Sequence, residues 1–166
     1  MQKVRYITDV VLLTPQLTNH CLSLPIIETT NTTIDNSSQT ALHFATSKLN
    51  LPAAKSLLTS SPPASTRVKD IRGQYPIHRA AAIGSVPLVQ LLIANKSPID
   101  ATDIAGQTPL HHAVAEGHGD TAVALLKAGA STDKKDSDGI LALDLAPDSQ
   151  VSCMKLLETT RKANIE

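Results

Sequence analysis

The sequence predicts an all-α repeat solenoid, and three features that share one register predict it. A five-residue motif recurs as Gln39-Thr40-Ala41-Leu42-His43, Gln74-Tyr75-Pro76-Ile77-His78 and Gln107-Thr108-Pro109-Leu110-His111, with a worn copy at Ile140-Leu141-Ala142-Leu143-Asp144. Its histidines lie 35 and then 33 residues apart, and Gly73, Gly106 and Gly139 follow one another every 33. The apolar pairs Leu57-Leu58, Leu92-Ile93 and Leu125-Leu126 keep the same lags. Independent features at one period mark stacked supersecondary units, because a unit of this size cannot bury its apolar face alone.

From the N-terminus, residues 1–34 do not follow the period. They hold scattered apolar clusters and then the polar stretch Glu28–Thr33, and read as a degenerate cap, a disordered extension or the remnant of something longer. The repeats are expected at about 35–69, 70–102, 103–135 and 136–166. In the first, Leu49 stands where the later units carry an inter-helix glycine, and Thr59–Thr66 contains a two-residue insertion with loop composition. In the second, Tyr75 replaces a capping threonine and Lys96 replaces a closing glycine, with Asn95 beside it able to take the left-handed region.

The third unit is the clearest. Thr108 is placed to cap a helix with its hydroxyl, and Pro109 follows at the first helical position, where no backbone N–H is needed. Leu110 and Ala113 face inward, Gly117 ends the helix, and a second helix runs through Val123, Leu125 and Leu126 to Gly129. Asp103 to Gly106 forms the exposed turn that joins units. The fourth unit has lost its proline and histidine and is expected to carry a deletion near Pro147–Gln150, as suits a terminal cap facing water.

Taken together, residues Asp103 to Ala130 (DIAGQTPLHHAVAEGHGDTAVALLKAGA) resemble a near-consensus ankyrin repeat, and about four such units cover 35–166. Two blocks narrow the likeness further: Lys69 to Ser85 (KDIRGQYPIHRAAAIGS) and His112 to Val123 (HAVAEGHGDTAV). Together with Asp136–Gly139 and Asp144–Ala146, they resemble the C-terminal half of the gankyrin family, the assembly chaperones of the proteasome regulatory particle, and its fungal branch most closely. The resemblance implies a non-catalytic scaffold. Its concave face would hold the C-terminal helical domain of a proteasomal AAA ATPase subunit while the particle assembles. A cytoplasmic place is expected, with the nucleus as an additional one. A general ankyrin adaptor in transcription or signalling is the competing reading.

Composition sets bounds beside the resemblance. Fifteen basic residues balance fifteen acidic ones, so the chain lacks the basic face that displaces counterions from nucleic acid. Aromatic residues are 2% of the chain, which leaves Leu, Ile, Val and Ala to build thin, closely stacked layers. Cys21 and Cys153 are far apart, which favours a reducing compartment over a disulfide framework. The run Val10–Leu13 is too short to span a membrane and is not flanked as a signal peptide. A monomer without cofactor is expected.

Among polar residues, His43, His78 and His111 invite a metal reading. Repeat-related side chains are spaced along a stack rather than converging, so a ring nitrogen bridging the turn backbone is the better expectation. His111, His112, Glu116 and His118 form the densest cluster, yet no nucleophile accompanies them. Asp133, Asp136 and Asp138 read as a solvated turn, since they lack the ligand spacing of a calcium loop. The candidate protein-binding residues are Ile71, Arg72, Arg79, Ile83, Ile104, Gln107, His112, Glu116 and Asp138, at turn and first-helix positions expected to line one concave strip. Isoleucines beside charges suit an interface that mixes desolvated contacts with steering charges.

Overall fold

A computed structural model describes residues 34–146. The N-terminal segment up to residue 33 lies outside the described residues, as do the end of the fourth repeat and the deletion expected near Pro147–Gln150. Among the described residues, six short helices form three antiparallel pairs: α1 (Ala41–Ser47) with α2 (Leu51–Thr59), α3 (Pro76–Ile83) with α4 (Val86–Ala94), and α5 (Pro109–Ala115) with α6 (Gly119–Lys127). A short 3₁₀ turn, Ala142–Leu145, takes the place of the next first helix. The first helices pack in series, α1 on α3 on α5 on the 3₁₀ turn, and α2, α4 and α6 form a second row behind them. Among the described residues no helix is long and apolar enough to cross a membrane.

The repeated motif explains the core. Leu42, Ile77 and Leu110 are buried in successive layers, with Ala45, Ala80 and Ala113 one turn further on. Leu57, Leu92 and Leu125 bury the second row against them. Alanine at the inner helix positions leaves no side chain to hold the helices apart, so branched residues of one layer reach those of the next. Each layer alone would expose its leucines; stacking removes them from water.

The helices begin where expected. Pro76 and Pro109 stand at the first helical position, and Thr108 accepts the His111 N–H at 3.4 Å. Tyr75 offers no side-chain cap, so the start of α3 relies on His78 instead. Asn50 caps α2 by accepting from the Ala53 N–H at 3.0 Å. Gly84 and Gly117 take left-handed φ values of 80° and 77° just past α3 and α5. At the corresponding place in the first pair, Leu49 adopts φ 55°. Closing α4, it is Lys96 that goes left-handed, with φ 60°, while Asn95 stays at φ −94°. Asn95 does not take over the role its composition suggested.

Candidate protein-binding turns

Between the pairs the chain forms projecting turns, and one residue type organises all of them. Asp35, Asp70, Asp103 and Asp136 open the turns, and in each case Oδ1 accepts two backbone N–H groups, two and four residues ahead, at 2.8–3.0 Å. The carboxylate thereby folds its own turn. Backbone bonds then tie turn to turn: Ile71 N–H donates to the Ser37 carbonyl, Ile104 N–H to Arg72 and Ser137 N–H to Ala105, at 3.0–3.1 Å. A glycine follows each tip in the last three turns. A Cβ at Gly73 would lie 3.1 Å from Ile104 N, and one at Gly106 would lie 2.8 Å from Ser137 N, so the close approach of neighbouring turns requires glycine there.

The recurrent histidines lock the turns to the helices. Nδ1 of His43, His78 and His111 accepts the N–H of Thr40, Tyr75 and Thr108 at 3.1–3.2 Å. Nε2 of the same rings meets the carbonyls of Gln74, Ala101 and Ile140 at 3.1–3.3 Å. Only the neutral ring with its proton on Nε2 satisfies both sides. The expected bridging role is therefore what these side chains perform. Burial lowers the pKa of His43, and burial together with the neighbouring His112 lowers that of His78 to about 4.

The nine predicted residues divide into three groups. Ile71, Arg72, Ile104, Glu116 and Asp138 are exposed, and Ile71 and Ile104 keep 60% and 74% of their surface in water. Ile83 and Gln107 are half-buried. The backbone of Gln107 closes its turn by exchanging hydrogen bonds with Asp103. Arg79 and His112 reach back into the fold. The Arg79 guanidinium pairs with Oδ2 of Asp70 at 2.6 Å and donates to Ser47 Oγ at 3.3 Å. His112 Nε2 lies 3.0 Å from Oδ2 of Asp103.

Both carboxylates are shaped by these partners. Burial alone would raise the Asp70 pKa, but the Arg79 hydrogen bond and the N–H groups of Gln74 and Arg72 outweigh it and hold it below the usual value. Asp103 behaves alike: burial raises its pKa, and the N–H of Gln107, His112 and the Gln74 side chain lower it further. The Gln74 amide donates to Asp103 Oδ2 at 3.3 Å and so links two adjacent turns.

Sequence reasoning passed over the aspartates as structural elements, although they recur at the same 35- and 33-residue lags as the motif. It also passed over Phe44 and Leu145, which hold the position of Arg79 and His112 in the outer turns. The same lag would have revealed both.

The family model for ankyrin repeats (three copies) matches residues 42–136. Over 120 residues the chain is 44% identical to a probable 26S proteasome regulatory subunit p28 of Saccharomyces cerevisiae, covering 71% of this chain and 52% of that protein. An ankyrin repeat-containing protein of Schizosaccharomyces pombe is 42% identical over 128 residues, covering 77% of this chain and 54% of the relative. The chain spans about half the length of the curated relatives it matches.

Proposed function

The chain belongs to the ankyrin-repeat family, and on that premise we propose that it is a protein-binding scaffold whose partner is the C-terminal domain of a proteasomal AAA ATPase, held during assembly of the regulatory particle. The observation that carries the binding role is the strip itself. Large apolar side chains, Ile71 and Ile104, stand in water on turns whose backbone is tightly bonded. Exposed apolar side chains on adjacent rigid turns are the kind of surface that a partner covers.

The likeness to the yeast p28 subunit supports a proteasomal setting, and the ATPase as partner follows from the resemblance of the blocks that include Arg72, Arg79, His112 and Glu116 to the gankyrin family. Arg72, Glu116 and Asp138 supply charge at the margins of the apolar contact, where it steers encounter and fixes register more than it adds affinity. Arg79 and His112 act from beneath by holding the turns.

Affinity purification of the full chain from a fungal cytosol, read by mass spectrometry, tests the assignment. Regulatory-particle ATPases are expected among the captured proteins, and the purified C-terminal domain of one of them is expected to bind directly. Their absence, or capture of signalling or transcription proteins in their place, overturns the proteasomal assignment and leaves a general adaptor.

A further inference from the structure

Equivalent positions along the strip change in a consistent sense. At the turn tips the row reads Asn36, Ile71, Ile104 and Ser137, so only the two central tips are apolar. One residue further the row reads Ser37, Arg72, Ala105 and Asp138. Where the first helices end it reads Lys48, Ile83 and Glu116. In both of the last two rows positive charge lies toward the N-terminal side of the stack and negative charge toward the C-terminal side. The whole chain has a formal net charge of zero, so this separation rather than net charge is what a partner meets at close range.

The apolar tips coincide with a second feature. The two central turns are those whose opening aspartate is anchored to the helix behind it, Asp70 by Arg79 and Asp103 by His112. In the outer turns Phe44 and Leu145 hold that position and carry no polar group. The tips are also adjacent. Ile104 N–H bonds to the Arg72 carbonyl, and its side chain lies over Gly73, close enough that a Cβ there would sit 3.3 Å from Ile104 Cγ1. Rigid presentation reduces the ordering that binding requires.

We infer that Ile71 and Ile104 form one preorganised apolar anchor for a protein segment of defined polarity: an apolar side chain set against the two tips, an acidic residue on the side of Arg72, and a basic residue toward Glu116 and Asp138. The inference rests on the protein-binding reading above and adds to it the chemistry and the direction of the bound segment. Arg79 and His112 are positioning residues here, since their polar groups are directed at Asp70 and Asp103 rather than outward.

A display library of random peptides, selected on the full-length chain, tests this without assuming any natural partner. Enriched peptides are expected to carry an apolar residue with Asp or Glu on one flank and Lys or Arg on the other. They are expected to bind the Ile71→Ser/Ile104→Ser chain at least about tenfold more weakly, as loss of a central apolar contact implies. Selection on Arg72→Glu is expected to replace the acidic flank with a basic one. Both isoleucines are exposed, so the double variant should melt with the wild-type chain, which separates lost binding from lost folding.

Failure to enrich any peptide, enrichment without the acidic flank, or equal binding to the double variant overturns the anchor. The purified ATPase domain, measured against the same variants, keeps the two claims apart. A domain that binds but ignores the isoleucine variants removes the anchor and preserves the proteasomal partner. Peptides that obey the pattern while the domain does not bind preserve the anchor and remove that partner.

Discussion

The first and third helical pairs share one backbone but not the residues that would most easily produce it. Past α5 the chain turns left-handed at Gly117, φ 77°, whereas past α1 it does so at Leu49, φ 55°. The third turn uses Gly106, φ 73°, where the first uses Ser38, φ 55°. The bracing is the same in both: Thr40 and His43 repeat the geometry of Thr108 and His111 to within about a tenth of an ångström at the shared N–H to Nδ1 bond. In the first pair, erosion has reached the positions where the wrong residue adds strain, and has spared those where it would leave buried polar groups without partners. The difference is one of magnitude. A left-handed residue other than glycine costs about 1–2 kcal/mol, which packed neighbours can offset. A buried ring that satisfies two backbone groups offers no cheaper substitute.

The largest expected effect breaks the pairs' equality if that account is wrong. His43→Ala and His111→Ala should each destabilise the chain by about 3 kcal/mol, because each leaves a buried N–H and a carbonyl unpaired. The two losses, read as urea midpoints of the full chain, should match. A loss at His43 well below that at His111 would mean that the first pair has decayed in its bracing too. The same ladder predicts an acid response. His43 and His78 are neutral when folded and have lowered pKa values, so the unfolded chain takes up protons more readily below 6.5. Their contribution is complete above pH 6.5 and is lost as the pH falls toward about 4, the value for His78. Asp70 and Asp103, also lowered, keep their contribution down to 3.8 and lose it below. Urea midpoints that stay level between pH 6.5 and 4 would exclude a neutral ladder.

Much of this is legible in the sequence. The period alone placed the helices, the core leucines and the bridging histidines, because each is set by a local rule repeated in register. The candidate strip was readable only in part. Ile71, Arg72, Ile104, Glu116 and Asp138 emerge exposed, since turn positions face water in any such stack. Arg79 and His112 do not behave as free surface groups, and the reason is a pairing with residues nine positions back that only the folded turn brings within reach. The exchange of roles between Asn95 and Lys96 was equally hidden: one residue's shift along a helix end decides which of two neighbours turns left-handed.

A smaller effect sharpens the comparison from the intact side. Gly117→Ala should cost about 1–2 kcal/mol, the steric penalty of a Cβ in the left-handed region. If the third pair tolerates alanine there with no change in midpoint, its glycine is not what distinguishes it from the first.

The smallest effect comes from repairing the first pair. Leu49 is 54% exposed, so replacing it sacrifices little burial while removing a side chain from a strained backbone. Leu49→Gly relieves that strain of about 1–2 kcal/mol but adds freedom to the unfolded chain that costs up to about 1 kcal/mol, so much of the gain is offset. Leu49→Asn keeps most of the unfolded-state restriction and tolerates the left-handed region, so it should give the larger gain, on the order of 0.5–1 kcal/mol. The order Asn above Gly above Leu in the urea midpoint is therefore the expected signature of backbone strain. The order Leu above both would instead mean that the exposed leucine stabilises the first pair through contacts, and that its presence at a glycine position is an adaptation rather than erosion.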